Sequence, residues 1–598
     1  MVLSDFEREV IAEVSKDRCW KHVEWFASVG EKLSGTPSNE RSVDYILQEL
    51  SAYGVETTAP EFQAWLSFPK MSDAEMIVLE PERKAINCIP FAQIRSSGDE
   101  GVEGELIYVG GGGIDDYKGK NAHNKIALAE FSKPPARPWK NYVAGVLNGA
   151  AGLIIISYPG PRKILNRGTV KSVWGNPTPE TFEDIGRIPA VNVANEDGLY
   201  LKDLLKQGSV RVWIKAKDTR EWARTRQPMA TVRGDEKQFV LLGSHMDAWA
   251  AAASCNAVGC ASTLEIARVL KVFQANLRRG IELLWFQGHE TGIMDGSSWY
   301  IDNFWDNLHG NCVAYFNNDT PCMINTTLYT ARGNPIFHDF LESTVRDLAE
   351  AEDVPFKVSK TRYMPNKTGD QSFYGLGIPS GFIQTTYPPE LEGKNPPGGW
   401  WYHSEFDTID KCDPETTYMA TKAQILVLLR LCMLPVLPFK VEPLANWTLE
   451  ALKDLELKAS KSIDLSSLIE ASKEFKVEAL RLDKSIERLN ELCSEPNKAK
   501  LNDEIQSVNE GLMKICRLLN PINLTLHGKY GQDYYGAEYI KPIPILQEAI
   551  ELAILNPDSS GYKALKTKLI RARNEVFDAL QDSIWFTKNT SKIIKGIK

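Results

Sequence analysis

Three of the eight histidines in this 598-residue chain stand beside acidic residues at the ends of apolar stretches. His245 opens the string HMDAW, His289 precedes Glu290, and His403 opens the string HSEFDT. Taken singly, such a histidine is more often a core or surface residue than a ligand. Three in the same context indicate a metal site, because imidazole and carboxylate are usual ligands of zinc and similar ions. A bound ion would polarise a carbonyl and lower the pKa of a water molecule.

The elements around these residues predict how they come together. Residues 226–440 read as strands that alternate with helices. That pattern predicts an open, largely parallel sheet whose functional groups lie at the carboxyl ends of its strands. His245, His289, Glu290 and Asp319 all fall at such ends. We therefore expect an α/β fold with a mixed, largely parallel sheet flanked by helices.

The other segments have different patterns. Residues 1–60 read as helices followed by a loop, and residues 61–225 read as short strands with turns between them. Residues 441–598 carry the long amphipathic periodicity of helices. These changes indicate an independent α+β module at 61–225 and a helical region at 441–598.

Composition limits the partners and the compartment. A net charge of -9 argues against binding to nucleic acid, and 43% hydrophobic residues are typical of a soluble globular protein. The N-terminus lacks the pattern of a signal peptide, and no apolar run of about 18 residues occurs, so we expect no membrane contact. Ten scattered cysteines without a CxxC pair are typical of reduced thiols. We predict a cytoplasmic protein.

The order of motifs resembles the zinc exopeptidase family that includes glutamate carboxypeptidase and the transferrin receptor. The strings extend over nearly the whole chain: KLSGTPSNERSVDYILQEL, GELIYVGGGGIDDYKGK, GAAGLIII, IPAVNV, LLGSHMDAW, LEIAR, GHETGIMDGSSWY, NNDT and WWYHSEFDT. The resemblance implies a discontinuous zinc-peptidase-like domain at 1–60 and 226–440 and a protease-associated domain at 61–225. It also implies a dimerisation domain at 441–598, and hence a homodimer.

The same resemblance assigns roles to individual residues. His245 and Asp319 would bind a first metal ion, and Glu290 and His403 would bind a second. Asp247 would orient His245 from behind, which fixes the tautomer of a ligating imidazole.

Two positions depart from the family pattern, and both lie at the centre of the chemistry. The family's bridging aspartate falls at Cys255, and its general-base glutamate falls at His289. A bridging carboxylate holds two cations about 3.5–4 Å apart, so its loss weakens at least one site. We therefore expect one divalent ion per chain, with zinc first and iron or manganese next. Cyclising enzymes of the same fold family use one zinc, so a single ion is no evidence of inactivity.

The two substituted residues keep several roles open. His289 could serve as general base, since its ordinary pKa lies near working pH, or as an added ligand. Cys255 could bridge soft metals, act as a nucleophile activated by a histidine, or fill space as a buried thiol.

One further string bears on the substrate. HGKYGQDYY resembles the stretch that, in glutamate carboxypeptidase, reaches from the helical domain into the active site. Lys529 and Tyr530 match the pair that binds the substrate carboxylate there, and an ammonium beside a phenol suits an anion. Trp401 and Tyr402 could line the same pocket. Each pair could equally be an ordinary surface or core feature.

The sequence therefore favours a metal-dependent hydrolase that cleaves an amide or related bond in a small, carboxylate-bearing molecule or short peptide. Two alternatives stay open. One is a non-catalytic binding or scaffold protein of the transferrin-receptor kind, and the other is a metal-independent Cys/His enzyme. Retention of four ligand-type residues argues against the scaffold, because a site without chemistry has no need for them.

Overall fold

The computed structural model describes residues 3–134, 137–359, 369, 371–393, 398–459, 462–493, 502–534 and 541–597. The chain begins with α1 (Asp5–Ala12), α2 (Lys16–Ser28), α3 (Pro37–Ala52) and β1 (Glu56–Thr58). Ser4 caps α1 in a capping box with Glu7, and Thr36 caps α3, which has Pro37 in its first turn. These are ordinary helix-start sequences, which explains why the helices begin where they do.

The next segment forms a separate eight-stranded sheet in the order β4-β3-β10-β6-β7-β8-β9-β5. Two further strands, β2 and β11, pair antiparallel with each other where the chain enters and leaves this unit. The elements are β2 (Glu61–Ser67), β3 (Ala74–Glu80), β4 (Lys84–Ile86), β5 (Cys88–Pro90), β6 (Val102–Tyr108), β7 (Ile126–Glu130), α4 (Pro138–Leu147), β8 (Gly152–Ile156), β9 (Ala190–Val193), α5 (Asn195–Gln207), β10 (Arg211–Ala216) and β11 (Arg220–Arg226).

The following segment returns to the sheet that β1 began, in the order β1-β12-β14-β13-β15-β17-β16. Its elements are β12 (Met229–Val232), β13 (Phe239–His245), α6 (Val258–Val272), β14 (Gly280–Phe286), α7 (Asp295–Asn303), α8 (Trp305–Asn311), β15 (Cys312–Asn317), β16 (Leu328–Gly333), α9 (His338–Ala351), α10 (Gln371–Tyr374), β17 (Ser380–Thr386) and α11 (Pro414–Met433). Strands β14, β13, β15 and β17 are parallel, and the flanking pairs are antiparallel. The expected mixed α/β fold is confirmed, with parallel pairing confined to the four central strands.

Helices cover both faces of this sheet. Along β13, Val240 and Leu242 pack in the large core that includes α6 and α11, whereas Phe239 and Leu241 pack in a second core with residues of α7 and α8. All seven residues of β13 are buried, as expected for a central parallel strand with two covered faces. The site described below therefore stands on a rigid sheet.

The C-terminal region is helical, with α12 (Val441–Ala459), α13 (Ser466–Cys493), α14 (Asn502–Leu524), α15 (Ala549–Leu552) and α16 (Ser560–Gly596). The long α16 packs along α13 and α14. Their apolar residues join the core of α6 and α11, so the helical region packs against the sheet domain. Among the described helices, none is both long enough and apolar enough to cross a lipid bilayer.

Candidate metal centre

The predicted site residues converge at one edge of the parallel strands. His245 ends β13, His289 and Glu290 follow β14, and Asp319 follows β15. His403 comes from the loop after β17. The carboxyl ends of parallel strands meet at the same edge of a sheet, so residues distant in sequence become neighbours there.

Two groups of three side chains meet at Cys255. In the first triad, Nε2 of His245 lies 3.3 Å from Oδ1 of Asp319 and 3.7 Å from Sγ of Cys255. In the second triad, Nε2 of His403 lies 3.2 Å from Oε1 of Glu290 and 3.8 Å from the same sulfur. The structure thus brings together the four ligands implied by the resemblance, in the implied pairs, and puts Cys255 between them.

The separations between donor atoms fit a metal ligand set. With zinc bonds of about 2.0–2.1 Å to nitrogen or oxygen and about 2.3 Å to sulfur, tetrahedral edges are about 3.3 Å for N–O pairs and about 3.6 Å for S–N pairs. The N–O pairs here are 3.2 and 3.3 Å apart, and the S–N pairs are 3.7 and 3.8 Å apart. Imidazole, carboxylate and thiol groups together suit zinc and similar ions.

Backbone carbonyls fix which nitrogen of each histidine faces the triads. Nδ1 of His245 lies 3.0 Å from the carbonyl oxygen of Asp247, and Nδ1 of His403 lies 3.3 Å from that of Arg167. An Nδ1–H that donates to a carbonyl leaves Nε2 with the lone pair that a metal needs. Both imidazoles are therefore held in a ligand-ready orientation.

Asp247 contacts His245 through its main-chain carbonyl, and its carboxylate takes a different part from the predicted one. Its carboxylate lies 3.9 Å from Nδ1 of His245, so the main-chain carbonyl makes the shorter contact with that ring. The carboxylate itself accepts hydrogen bonds from the backbone N–H groups of His289, at 3.1 Å, and Glu290, at 2.9 Å. Asp247 therefore positions the loop after β14 as well as the ligand at the end of β13.

His289 lies beside the first triad and outside both ligand groups. Its Nε2 is 4.0 Å from Oδ2 of Asp319. Burial is the main cause that lowers the pKa of His289 to about 3. The imidazole is therefore neutral at working pH, and it is a weaker base than a free histidine.

The cysteine is held by a carboxylate that the sequence reasoning missed. Asp407 accepts hydrogen bonds from the backbone N–H groups of Ser254, at 2.9 Å, and Cys255, at 3.2 Å. Asp407 lies in the string HSEFDT, whose pattern indicates only His403 as a ligand. Burial and, next, the carboxylates of Glu290 and Asp319 raise the pKa of the Cys255 thiol well above its usual range. Without a metal, this thiol is a poor nucleophile.

The alanine-rich loop between β13 and Cys255 carries a contact to the second triad. Nε1 of Trp249 donates to Oε2 of Glu290 at 3.0 Å, which leaves Oε1 for His403. Ala250 and Ala252 adopt φ of 53° and 46°, a left-handed conformation that favours glycine. The buried ammonium of Lys32 donates to the carbonyl of Ala251 and helps to hold this loop.

A small cavity of about 80 Å³ opens beside His289, Glu290 and His403. Tyr402 lines it and stacks on His403, with ring centroids 3.8 Å apart. Ile293 and Met294 follow Glu290 in the lining, and the rest comes from the inserted domain: Phe131, Arg137, Pro138, Trp139, Tyr158, Asn166, Arg167, Gly168 and Thr169. A larger groove of about 860 Å³ lies on the inserted domain, and one of about 550 Å³ lies between that domain and Tyr534; no triad residue lines either groove.

The inserted domain touches the ligand loop directly. The backbone N–H of Arg167 donates to the carbonyl of His403 at 2.7 Å, and Nδ2 of Asn166 donates to that of Tyr402, also at 2.7 Å. The guanidinium of Arg167 is largely buried and pairs with Glu31. Two sheets thus build one cavity, with metal-ligand candidates on one wall and cations on the other.

Three predicted substrate residues lie elsewhere. Trp401 is 4% exposed, and its Nε1 donates to Oγ of Ser254, so it supports the cysteine turn. Tyr530 is 84% exposed and contacts Trp305 with ring centroids 5.2 Å apart. Lys529 is exposed beside it. Neither Lys529 nor Tyr530 is among the described residues that line the cavity.

Comparison with known proteins agrees with this architecture. Residues 229–428 match Peptidase family M28. A probable glutamate carboxypeptidase of Zea mays, VP8, is 24% identical over 510 residues, which is 72% of this chain and 68% of that protein. The aminopeptidase NAALADL1 of Rattus norvegicus is 28% identical over 48% of this chain and 42% of its own length.

Solved structures show the same fold at low sequence identity. BSAP, a zinc aminopeptidase from Bacillus subtilis, has a TM-score of 0.54 at 18% identity and covers 70% of this chain and 95% of its own. A peptidase M28 precursor from Shewanella amazonensis has a TM-score of 0.57 at 17% identity, with 71% of this chain and 96% of its own covered. The aminopeptidase-like fold is therefore shared.

Proposed function

From the match of residues 229–428 to Peptidase family M28, we propose a specific activity. The protein cleaves an amide or related C–N bond in a small substrate that bears a carboxylate, and it depends on a divalent metal. The single observation that carries the proposal is the pair of ligand triads that meet at Cys255. Zinc is the first candidate ion, with iron or manganese next.

Four side chains would hold the metal: His245, Asp319, Glu290 and His403. An ion held there supplies Lewis-acid polarisation of the scissile carbonyl. His289 lies largely buried beside this group, so we assign to it the proton of the attacking water, which it would pass to the leaving nitrogen.

The wall opposite His289 supports a carboxylate-bearing substrate. Arg137 and Arg167 line the cavity, and a guanidinium is a bidentate partner for a carboxylate. Arg167 already pairs with Glu31, so a substrate anion would share or displace that partner. The volume of about 80 Å³ is smaller than that of an ordinary ligand pocket, so the cavity would hold only one end of a substrate.

The two alternative functions have less support. A scaffold protein has no need for imidazole nitrogens turned toward carboxylates at ligand distances. A metal-independent Cys/His enzyme needs a thiolate, and the raised pKa of Cys255 opposes its formation. A cytoplasmic location stays a prediction from the sequence.

The test starts with a substrate screen, because the names of the relatives include both a carboxypeptidase and an aminopeptidase. The full-length protein would be offered dipeptides, N-acyl amino acids and cyclic amides. We expect turnover that 1,10-phenanthroline abolishes, that the non-chelating 1,7-isomer leaves intact, and that added Zn²⁺ restores.

Variants sharpen this test. His403→Ala should lose both bound metal and turnover, whereas His123→Ala, at an exposed site in the inserted domain, should lose neither. Turnover that survives complete metal removal would refute the proposed function. Metal-loaded protein that turns over none of these compounds would favour the binding or scaffold alternative.

A further inference from the structure

We propose that Cys255 is itself a metal ligand whose thiolate is shared by both triads, so that the centre holds a pair of thiophilic ions. When the sulfur–metal bonds form, the thiol proton leaves to solvent and no redox partner is required. The inference rests on the metal centre of the proposed function, and it is independent of which bond the protein cleaves. It replaces the sequence-based expectation of one ion with two.

The position of the sulfur carries the proposal. Sγ lies 3.7 Å from Nε2 of His245 and 3.8 Å from Nε2 of His403, so it is equally close to both histidines. It also lies 3.9 Å from Oε1 of Glu290. A space-filling thiol has no reason to face donors of two ligand groups at near-equal distances. A sulfur atom has lone pairs enough to bind two ions, and thiolates are ligands of zinc.

The protein fixes that sulfur from two sides. Asp407 binds the backbone of Ser254 and Cys255, as described above, and Trp401 donates to Oγ of Ser254 at 3.1 Å. On the other side, Nδ2 of Asn256 donates to the carbonyl of Asn318 at 2.9 Å. These hydrogen bonds therefore hold the turn at Cys255 against the loop of His403 and against the loop of Asp319.

The softness of the Cys255 sulfur predicts which metal ions the centre binds. A carboxylate bridge accepts hard ions, whereas a thiolate bridge favours zinc, cobalt or cadmium over magnesium and manganese. Cys255 would thus select the metal, and the departure from the family's aspartate would change metal preference while leaving two sites. The protein's own residues determine this metal preference, and it does not depend on a bound substrate.

Cobalt substitution of the metal-free, full-length protein tests the bridge without a substrate. A thiolate bound to Co²⁺ gives a charge-transfer band in the near ultraviolet. We expect that band to grow until two equivalents of Co²⁺ are bound, and elemental analysis to find two ions per chain. Cys255→Ser should remove the band. Cys260→Ser is the matched control, since its sulfur is also buried but contacts the carbonyl of His245, and it should keep the band.

Cys255→Asp is a second variant that still tests the proposal if Cys255→Ser does not fold. It should still bind two ions, lose the band, and gain Mn²⁺ affinity by tenfold or more relative to Zn²⁺. Saturation at one equivalent, or a band that persists in Cys255→Ser and Cys255→Asp, would overturn the shared thiolate. Neither readout uses turnover, so a failed substrate screen would count against the hydrolase and leave this inference standing.

Discussion

The imidazole rings of His245 and His289 stack face to face, with centroids 3.9 Å apart and 14° between their planes. One ring is a metal-ligand candidate, and the other occupies the position of the family's general base. Burial is the main cause that lowers the pKa of His289 and keeps its ring neutral. In this stack, His245 is the candidate for metal binding and His289 is the candidate for proton transfer.

His289→Ala should lower kcat by about 10²–10⁴-fold, the usual contribution of a general base, while the metal content stays at the wild-type level. Steady-state kinetics on a confirmed substrate and elemental analysis of the same sample measure both quantities. His289→Glu, which returns the family's residue, should recover part of the rate. If His289→Ala loses metal in proportion to activity, then His289 is a ligand and the base lies elsewhere.

A buried ion pair joins the inserted domain to the sheet domain behind the site. Nζ of Lys171 lies 3.2 Å from Oδ1 of Asp295 at the start of α7, and both side chains are fully buried. The ammonium also donates to the carbonyl of Gly175 at 2.8 Å. Asp295 begins α7, and Glu290 lies in the loop that leads into this helix. The ion pair therefore links the packing of the inserted domain to the loop that carries Glu290.

Lys171→Met should lower the free energy of unfolding by about 3–5 kcal/mol, because it leaves the Asp295 carboxylate buried without its partner. Lys171→Met combined with Asp295→Leu should recover a large part of that loss. Lys206→Met breaks the exposed pair with Asp203 and is the control, expected to cost less than about 1 kcal/mol. Urea unfolding measures all three. Equal losses in the single and double variants would show that the pair itself is not the cause.

The sequence predicted that the candidate ligands come together, because the position of most of them follows from one rule. His245, Glu290 and Asp319 end or follow parallel strands, and such ends must meet. Asp407 could not be found in this way, since its function is to bind two backbone N–H groups, and sequence does not display backbone geometry. The Lys529 and Tyr530 hypothesis rested on a matching string, yet the surface position of that string depends on how the helical region packs.

Acid should destabilise the protein through a histidine remote from the metal. Nδ1 of His22 lies 2.6 Å from Oη of Tyr45, and its Nε2 lies 2.9 Å from Oη of Tyr53. Burial lowers the pKa of His22 to about 4. Unfolded, the residue titrates near 6.5, so between these two values the unfolded state binds more protons. Stability from this residue is therefore complete above about pH 6.5 and falls as pH drops toward 4.

The expected slope is up to about 1.4 kcal/mol per pH unit in that window. Urea unfolding of wild type and His22→Gln from pH 4.5 to 7.5 measures it. The variant lacks the titrating group, so its curve should be flatter than that of the wild type, whatever its absolute stability. Parallel curves would mean that the acid sensitivity arises at other residues.

The helical region leaves large apolar side chains in solvent. Leu457 on α12 is 83% exposed and Trp585 on α16 is 59% exposed. Val477 on α13 is also exposed. A two-fold homodimer, the commonest closed assembly, would bury exposed apolar groups such as these. We predict that α12, α13 and α16 contribute to a dimer interface.

Light scattering at micromolar concentration should therefore give twice the chain mass of 67.0 kDa. The combined variant Leu457→Glu and Trp585→Glu should shift the protein toward monomer, because a buried carboxylate without a partner opposes association. Leu147→Glu, at a residue of the inserted domain that is 70% exposed, is the control and should leave the mass unchanged. A wild-type mass near that of one chain would exclude the dimer, and a variant that stays dimeric would move the interface to other surfaces of the protein.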